Sequence, residues 1–188
     1  MNETIKSILS RRSIKVYQRE QIRGEELEMI LLAGKYAPSG MNRQPWHFLV
    51  IQEKDMIKRI DEIAKKNRPK NMPPPPPGPA GQPMGKRPNP IETAPTLIIV
   101  FGGPVLTTIH DCTLAMGNMM IAAQSLGIGS NWLHAIVRNV FSSEEGKFLK
   151  KELEVPDDYD PYAAAVFGYK AAEPMQRSPR REGTVTII

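Results

Sequence analysis

The chain of 188 residues has the composition of a globular protein, with 40% hydrophobic and 24% charged residues. A formal net charge of +5 is compatible with an anionic ligand, but 6% aromatic residues and scattered cations are not typical of nucleic-acid-binding proteins. No apolar run approaches the ~20 residues of a membrane span, and no signal-peptide core is visible. The single cysteine is typical of a reducing compartment. We therefore predict one cytoplasmic domain, residues 1–188, without a nucleic-acid or membrane partner.

The N-terminal stretch combines a short amphipathic helix with a cluster of cations. The helix is predicted to run from its cap at Asn2 to about Ser10, with its apolar face directed inward. Three cations and a hydroxyl follow within five residues. Because Arg offers a planar fork of donors and Lys a point charge, this segment fits a phosphate group. It consists of Arg11, Arg12, Ser13, Ile14 and Lys15.

A polar loop, residues 38–46, separates the second predicted helix (22–37) from the first predicted strand (48–51). Turning the chain requires only Gly, Pro or Ser, so two side-chain amides exceed what the turn needs. Their donors and acceptors suit a heterocycle with imide and carbonyl edges. The alternative is an ordinary connection whose polar residues face water. The loop carries Pro38, Ser39, Gly40, Asn42 and Gln44.

A third helix, from about Asp55 to Lys66, precedes a stretch from Asn67 to Pro90 in which helix and strand patterns disappear. Five consecutive prolines, Pro73 to Pro77, favour a polyproline II conformation. Such a segment is either a ligand for an SH3-like partner or a surface loop stiffened by proline. We favour the loop, because nothing else in the chain suggests signalling.

An apolar run from Thr96 to Phe101 predicts a strand buried on both faces. The next helix, from about Thr108 to Leu126, is apolar around nearly its whole circumference, so it should be buried on every side. In a domain of this size that indicates a partner subunit; the alternative is a central helix covered by its own chain. Cys112 is interpreted as a small core residue rather than a nucleophile. Four small residues would permit close helix contact: Ala115, Gly117, Ala122 and Ala123.

The sequence after this helix contains Gly127 and Gly129 but does not match a dinucleotide-binding fingerprint. That fingerprint needs a third Gly and runs from a strand into a helix, whereas here a helix runs into a strand. The glycines are better interpreted as a helix C-cap and a tight turn. We predict no metal site, because no metal-binding pattern is present; the sequence also lacks the Walker loop and the triad that other enzyme classes need. A helix (142–153), a buried strand (162–169), a basic tail (177–181) and a β-rich end (184–188) complete the chain.

Four ordered blocks of this sequence resemble the FMN-dependent nitroreductase family. They are the segment 11–15, the loop 38–46, the pattern of Asn118 followed by 122–132, and the Ala-rich strand 162–169. Together the blocks extend over almost the entire chain except 67–90. The resemblance implies an α+β sandwich, in which a mixed, mainly antiparallel sheet is flanked by helices. It also implies an intertwined homodimer with two FMN sites at its interface.

The same resemblance implies an NAD(P)H-dependent oxidoreductase. NADH or NADPH would reduce FMN and leave, after which a small-molecule acceptor such as a nitroaromatic or a quinone would be reduced in the same pocket, a ping-pong mechanism. FMN itself carries the chemistry. The Pro-rich insertion would act as a lid that limits the substrate. The alternative from another class is a flavin-binding protein without turnover, serving as a flavin carrier or as an interaction protein.

The residues that the resemblance assigns to the cofactor fall into three groups. The first group binds the phosphate, and Lys15 in this group lies near the flavin N1/O2 edge. For the C-terminal arginines of this group, the alternative is a basic tail that faces water. The second reaches the cofactor from the neighbouring subunit. The backbone of the third approaches N5, although homologues often have Glu-Gly at its last two positions. The groups are Arg11, Arg12, Ser13, Lys15, Arg180 and Arg181; Pro38, Ser39, Gly40, Asn42 and Gln44; and Leu133, His134 and Ala135.

Overall fold

The structure, a computed structural model, describes residues 1–71, 88–174, 177 and 179–188. Most of the predicted Pro-rich insertion, and with it the predicted lid, lies outside the described residues. Within them, one sheet is flanked by helices. The strands are β1 (Trp46–Ile51), β2 (Thr96–Gly102), β3 (Ile128–Trp132) and β4 (Asp160–Tyr169). The helices are α1 (Glu3–Ser10), α2 (Gly24–Lys35), α3 (Lys54–Lys66), α4 (Thr108–Ser125), α5 (His134–Asn139) and α6 (Glu144–Glu152), with 3-10 turns at Gly40–Asn42 and Pro90–Glu92.

The sheet has the strand order β1-β2-β4-β3, and each of these pairings is antiparallel. A parallel bridge joins Ser13 to Ser130 beside the β3 edge. The central strand β2 is buried along its whole length, as predicted, and β4 is buried from Ala163 to Gly168. The arrangement confirms the predicted α+β class with a mixed, mainly antiparallel sheet.

Alternate residues of β2 face two separate hydrophobic layers, because successive side chains of a strand point to opposite sides. Leu97 and Ile99 pack in one layer with buried residues of α3, α5 and α6. Ile98 and Val100 pack in the other with buried residues of α2 and α4. The sheet is therefore covered on both faces, which explains why its central strands are apolar without alternation.

Helix α4 is buried on one face only. Its Met116 and Met119 lie in the core, whereas Ile109 and Leu114 are 52% and 48% exposed. The predicted burial on every side is therefore not achieved within one chain, because the sheet, α1 and α2 cover only part of this helix. Of its small residues, Ala115 and Ala123 are buried in their own chain, Ala122 is half-buried, and a Cβ on Gly117 would meet nothing within 4 Å.

Cys112 also lies in the buried face of α4. Its thiol donates to the Phe101 carbonyl at 3.6 Å. Burial, together with the neighbouring Asp111, raises the pKa of the Cys112 thiol to about 12. The burial of Cys112 confirms its interpretation as a small core residue.

Two predicted apolar surfaces are not packed within this chain. Helix α1 begins as predicted, with the Asn2 side chain accepting from the Ile5 backbone N–H at 3.0 Å, but its apolar face points outward. The prediction of an inward face is wrong because α1 meets α4 through its polar side, where Ser7 is buried. The predicted β-rich end, 184–188, contains no strand, since a strand needs a hydrogen-bonded neighbour. The exposed residues are Ile5, Ile8, Leu9, Val185, Ile187 and Ile188.

The turns that follow α4 agree with the sequence. Gly127 has a φ of 79°, which glycine adopts without a Cβ clash, and it follows the C-cap residue Leu126 in the helix-ending turn that the sequence predicts. The side chain of Ser143 caps α6 by accepting from the Gly146 N–H at 3.1 Å. Helix α5 is absent from the predicted elements, because six residues are too few to show helical periodicity.

A buried carboxylate fastens the start of α2 to the end of β4. Glu26 accepts from the Arg23 guanidinium at 2.6 Å and from the Arg23 backbone N–H at 3.2 Å. The Tyr169 hydroxyl donates to the same carboxylate. The hydrogen bonds from Arg23 and Tyr169 lower the pKa of Glu26 to about 2. This carboxylate therefore stabilises the fold as long as it is ionised.

Replacing Glu26 with Gln should remove part of the pH dependence of stability. The folded-state pKa of about 2 lies below the unfolded value, so the wild-type carboxylate stabilises the fold above pH ~4.3, and this contribution is lost as the pH falls through the folded pKa. The free energy of unfolding, measured by urea denaturation, should therefore be lower for Glu26→Gln than for wild type near neutral pH. The difference should shrink as the pH falls. The exposed Glu28→Gln is the control, and a difference that does not change with pH would contradict the expectation.

Candidate functional site

The cationic segment after α1 is pinned to the edge strand β3. The Ile14 N–H donates to the Ser130 carbonyl at 3.0 Å, and the Asn131 side-chain amide donates to the Ile14 carbonyl at 2.8 Å. Ile14 itself is buried, and Gly129 makes room for it, since a Cβ there would lie 2.7 Å from the Ile14 Cγ1. The buried Ile14 thus fixes the backbone, while Ser13 on one side of it is exposed.

An arginine cluster surrounds the end of α1. The Nη1 atom of Arg11 is buried and has no hydrogen-bond partner among the described residues. Burial, followed by the charges of Arg180, Arg12 and Arg177, lowers the pKa of Arg11. The Arg177 guanidinium donates to the Leu9 carbonyl at the end of α1, which brings the C-terminal tail to this point.

This cluster fits the predicted phosphate site. Like charges at close range repel each other, and a buried donor without a partner is costly, so an anion bound here would relieve both costs. Arginine forks match the oxygens of a phosphate group. The structure brings Arg11, Arg12 and Arg180 together, with Arg177 of the same basic tail, which was not among the predicted site residues. Arg181, the residue after Arg180, is exposed.

The loop 38–46 has an unusual backbone. Met41, Asn42 and Gln44 have φ values of 51°, 55° and 47°, in the left-handed region that costs an L-residue about 1–2 kcal/mol. Two hydrogen bonds close the loop: Ser39 Oγ accepts from the Gln44 N–H at 3.0 Å, and the Gln44 side-chain amide donates to Asn42 Oδ1 at 3.1 Å. The predicted loop residues therefore form one compact unit, in which Asn42 and Gln44 are exposed and Ser39 is half-buried.

A carboxylate from α4 holds this loop. Asp111, which is only 3% exposed, accepts from the Gly40 N–H at 3.2 Å and from the Thr107 hydroxyl at 2.8 Å. No role for Asp111 follows from the sequence, because one acid in the first turn of a helix is ordinarily explained by the helix dipole.

The structure does not bring the loop and the arginine cluster together within one chain. The loop is fastened near the start of α4, through Asp111. The cluster follows α1, which is joined to the end of α4 by a hydrogen bond of 3.2 Å from Gln124 to Ser10. At 1.5 Å per residue, Asp111 and Gln124 are about 20 Å apart along the helix. The two halves of the predicted site therefore lie at opposite ends of α4.

The third predicted group lies between β3 and α5. The Leu133 N–H donates to the Ala164 carbonyl at 2.8 Å, and His134 and Ala135 begin α5 as exposed residues. Leu133 and Ala135 line a cavity of about 450 Å³, bordered by α3 and the 90–92 turn, a size typical of small-molecule pockets. A cavity of similar size, about 460 Å³ between α3 and α6, contains none of the predicted site residues.

The described residues contain no group of three or more His, Cys, Asp or Glu side chains that could hold a metal ion. None of their helices is both long enough and apolar enough to cross a membrane.

The chain matches a known protein family over most of its length. The model of the nitroreductase family matches residues 8–169. The chain belongs to the nitroreductase family. All three groups of predicted site residues, except the C-terminal arginines, fall within the matched range.

Individual nitroreductase relatives align over most of their length. A protein of Archaeoglobus fulgidus named "Putative NADH dehydrogenase/NAD(P)H nitroreductase" is 34% identical over 179 residues, which cover 92% of this chain and 88% of the relative. The FMN reductase (NAD(P)H) of Bacillus subtilis is 28% identical over 194 residues, covering 91% and 67%. The crystal structure of a nitroreductase with bound FMN from Bacteroides fragilis superposes with a TM-score of 0.83 at 31% identity and covers 100% of both chains.

Proposed function

We propose that this nitroreductase-family protein is an FMN-dependent oxidoreductase that uses NADH or NADPH to reduce small-molecule acceptors, such as nitroaromatics or quinones, in a ping-pong sequence. The chain would form one domain, with 67–90 as an insertion. The observation that carries the proposal is the buried Nη1 atom of Arg11, which has no hydrogen-bond partner among the described residues and lies in a cluster of arginines. FMN ends in a phosphate that satisfies this donor. The names of the relatives, which include an FMN reductase and a nitroreductase with bound FMN, support the same cofactor.

Bound FMN supplies the hydride chemistry, so the protein residues bind it, orient it and tune its electronics. Arg11, Ser13 and Arg180 would hold the phosphate by charge-assisted hydrogen bonds. Lys15 follows the buried anchor Ile14 and would place a cation where negative charge develops on reduction. No protein acid, base or nucleophile has a role in this proposal.

The site would be completed by a second copy of the chain. Helices α1, α2 and α4, with the residue just after α2, carry large apolar residues that are exposed in one chain, and burying them against a partner would be favourable. These residues include Ile5, Leu9, Met29, Leu32, Tyr36, Ile109 and Leu114. In a twofold dimer that pairs the α4 helices antiparallel, the start of one α4 lies beside the end of the other. The loop 38–46 of one chain would then approach the arginine cluster of its partner. Ser39, Asn42 and Gln44 would thus reach the FMN across the interface.

The purified protein should be yellow, release FMN on heating and oxidise NADH or NADPH in the presence of a nitroaromatic or a quinone. Mass spectrometry identifies the released cofactor, and steady-state absorbance at the nicotinamide band measures turnover across a panel of acceptors. The presence of FAD, or of no flavin, would contradict the proposed cofactor. Bound FMN without turnover of either nicotinamide would contradict the enzymatic function and favour a flavin carrier.

Arg11→Ala should weaken FMN binding at least about tenfold, or ~1.4 kcal/mol, because a charge-assisted hydrogen bond to the phosphate is lost. Titration of the flavin-free protein, followed by flavin fluorescence, gives the dissociation constant. Arg19→Ala removes the same charge from an exposed position outside the cluster and should leave it unchanged. Equal dissociation constants for Arg11→Ala and wild type would remove Arg11 from the site.

Leu114→Glu should disrupt the dimer without unfolding the chain. The Leu114 side chain is 48% exposed in one chain, so the substitution costs little there, but at the proposed interface it buries an unpaired carboxylate at a cost of several kcal/mol. Light scattering should report a monomer, and the flavin absorbance should fall with it. Phe148→Glu, at a residue that is 71% exposed on α6, should change neither. A folded Leu114→Glu monomer with a full complement of FMN would show that the site lies within one chain.

A further inference from the structure

Resting on the proposed function, we infer that Asp111 is a positioning residue for the flavin-binding loop. It does not touch the cofactor in this proposal. It holds the loop 38–46 in the shape from which Ser39, Asn42 and Gln44 would contact the flavin.

Both oxygens of the Asp111 carboxylate accept hydrogen bonds, one from the loop and one from the start of α4. One oxygen accepts from the Gly40 N–H at 3.2 Å, and the other accepts from the Thr107 hydroxyl at 2.8 Å. Glycine is required at the contact, because a Cβ on Gly40 would lie 2.5 Å from the Thr107 Oγ1. The loop backbone thus sits directly against the residue pair that anchors it.

The loop depends on this anchor because its own conformation is unfavourable. Met41, Asn42 and Gln44 all have left-handed backbones, which L-residues leave unless the surrounding structure holds them there. Within the loop, the Ser39–Gln44 and Gln44–Asn42 hydrogen bonds connect its polar residues only to one another. Its exposed residues have little packing of their own. The end of the loop is fastened beside β2, where the Gly103 N–H donates to the Pro45 carbonyl at 3.0 Å. The bond from Gly40 to Asp111 fastens the first half of the loop to α4.

Asp111 also differs from an ordinary acid at a helix start. An acid in that place would interact with the N–H groups of its own helix, whereas the recorded partners of this carboxylate are the loop backbone and the Thr107 side chain. The same helix carries Ile109 and Leu114 on its exposed face. Asp111 therefore connects the loop to the helix that would form the dimer interface.

The test compares Asp111→Ala with Asp111→Asn in the full-length protein. The amide oxygen of Asn can still accept from Gly40, and its nitrogen can donate to the Thr107 oxygen, so the conservative variant should rescue the loop. Asn118→Ala is the matched control, because it removes another side-chain bond from α4, the 3.2 Å bond to the Ala33 carbonyl, without touching the loop. Circular dichroism establishes that each variant is folded.

The first readout is tryptic cleavage between Arg43 and Gln44, which lie exposed in the loop, with the site of cleavage identified by mass spectrometry. The second is the dissociation constant for FMN. Asp111→Ala should raise both the cleavage rate and the dissociation constant by about tenfold or more. Asp111→Asn and Asn118→Ala should stay within about threefold of wild type. A general loss of stability would instead accelerate cleavage in Asn118→Ala as well.

The inference is overturned if Asp111→Ala is cleaved at the wild-type rate, or if its loop is cleaved faster while the FMN dissociation constant is unchanged. If Asp111→Ala does not fold, Gly40→Ala decides by the same two readouts, since its Cβ would displace Thr107 and break the contact while Asp111 remains. A wild-type protein without measurable affinity for FMN refutes the proposed function, and this inference with it. A wild type that binds FMN, with the variants unchanged, refutes the inference alone.

Discussion

The position of α4 is the constraint on which the rest of the structure depends. One face of this helix packs into the layer that also contains α2 and the inner side chains of β2. Its start holds the loop 38–46 through Asp111, and its end lies beside α1 and the cationic segment. Because a helix of this kind is rigid and nearly straight, the separation of the two motifs is fixed by its length. No local rearrangement within one chain can bring them together.

The arginine cluster has a different physical basis, which is the rigidity of its backbone support. Ile14 is buried and bonded on both sides to β3, so the neighbouring cations cannot move apart to reduce their repulsion by shifting the main chain. The tail adds Arg177 and Arg180 to the same point. An arrangement that concentrates positive charge in this way is unfavourable alone and becomes favourable when a phosphate neutralises it.

The sequence predicts those parts of the structure that one chain determines by itself. The buried strand β2, the C-cap at Gly127 and the loop beginning at Pro38 follow from patterns of hydrophobicity, Gly and Pro, and the structure agrees with each. The predictions of an inward apolar face for α1 and of a β-rich end are wrong. Apolar or β-branched residues indicate that a surface tends to be buried, but not which other surface buries it. Asp111 could not be predicted, since its role arises from a contact between residues 71 positions apart.

The proposed dimer would account for both the wrong predictions and the separated site. In a single chain the apolar side of α1, the exposed stripe of α4 and the apolar end of the tail face water, and the two halves of the site lie at opposite ends of α4. An antiparallel pairing of two copies would cover this apolar surface and would also bring the two halves of the site together. Hydrophobic burial would then provide the free energy that holds the strained loop of one chain beside the cationic cluster of the other. The stability of the assembly and the geometry of the proposed site would therefore come from one set of contacts.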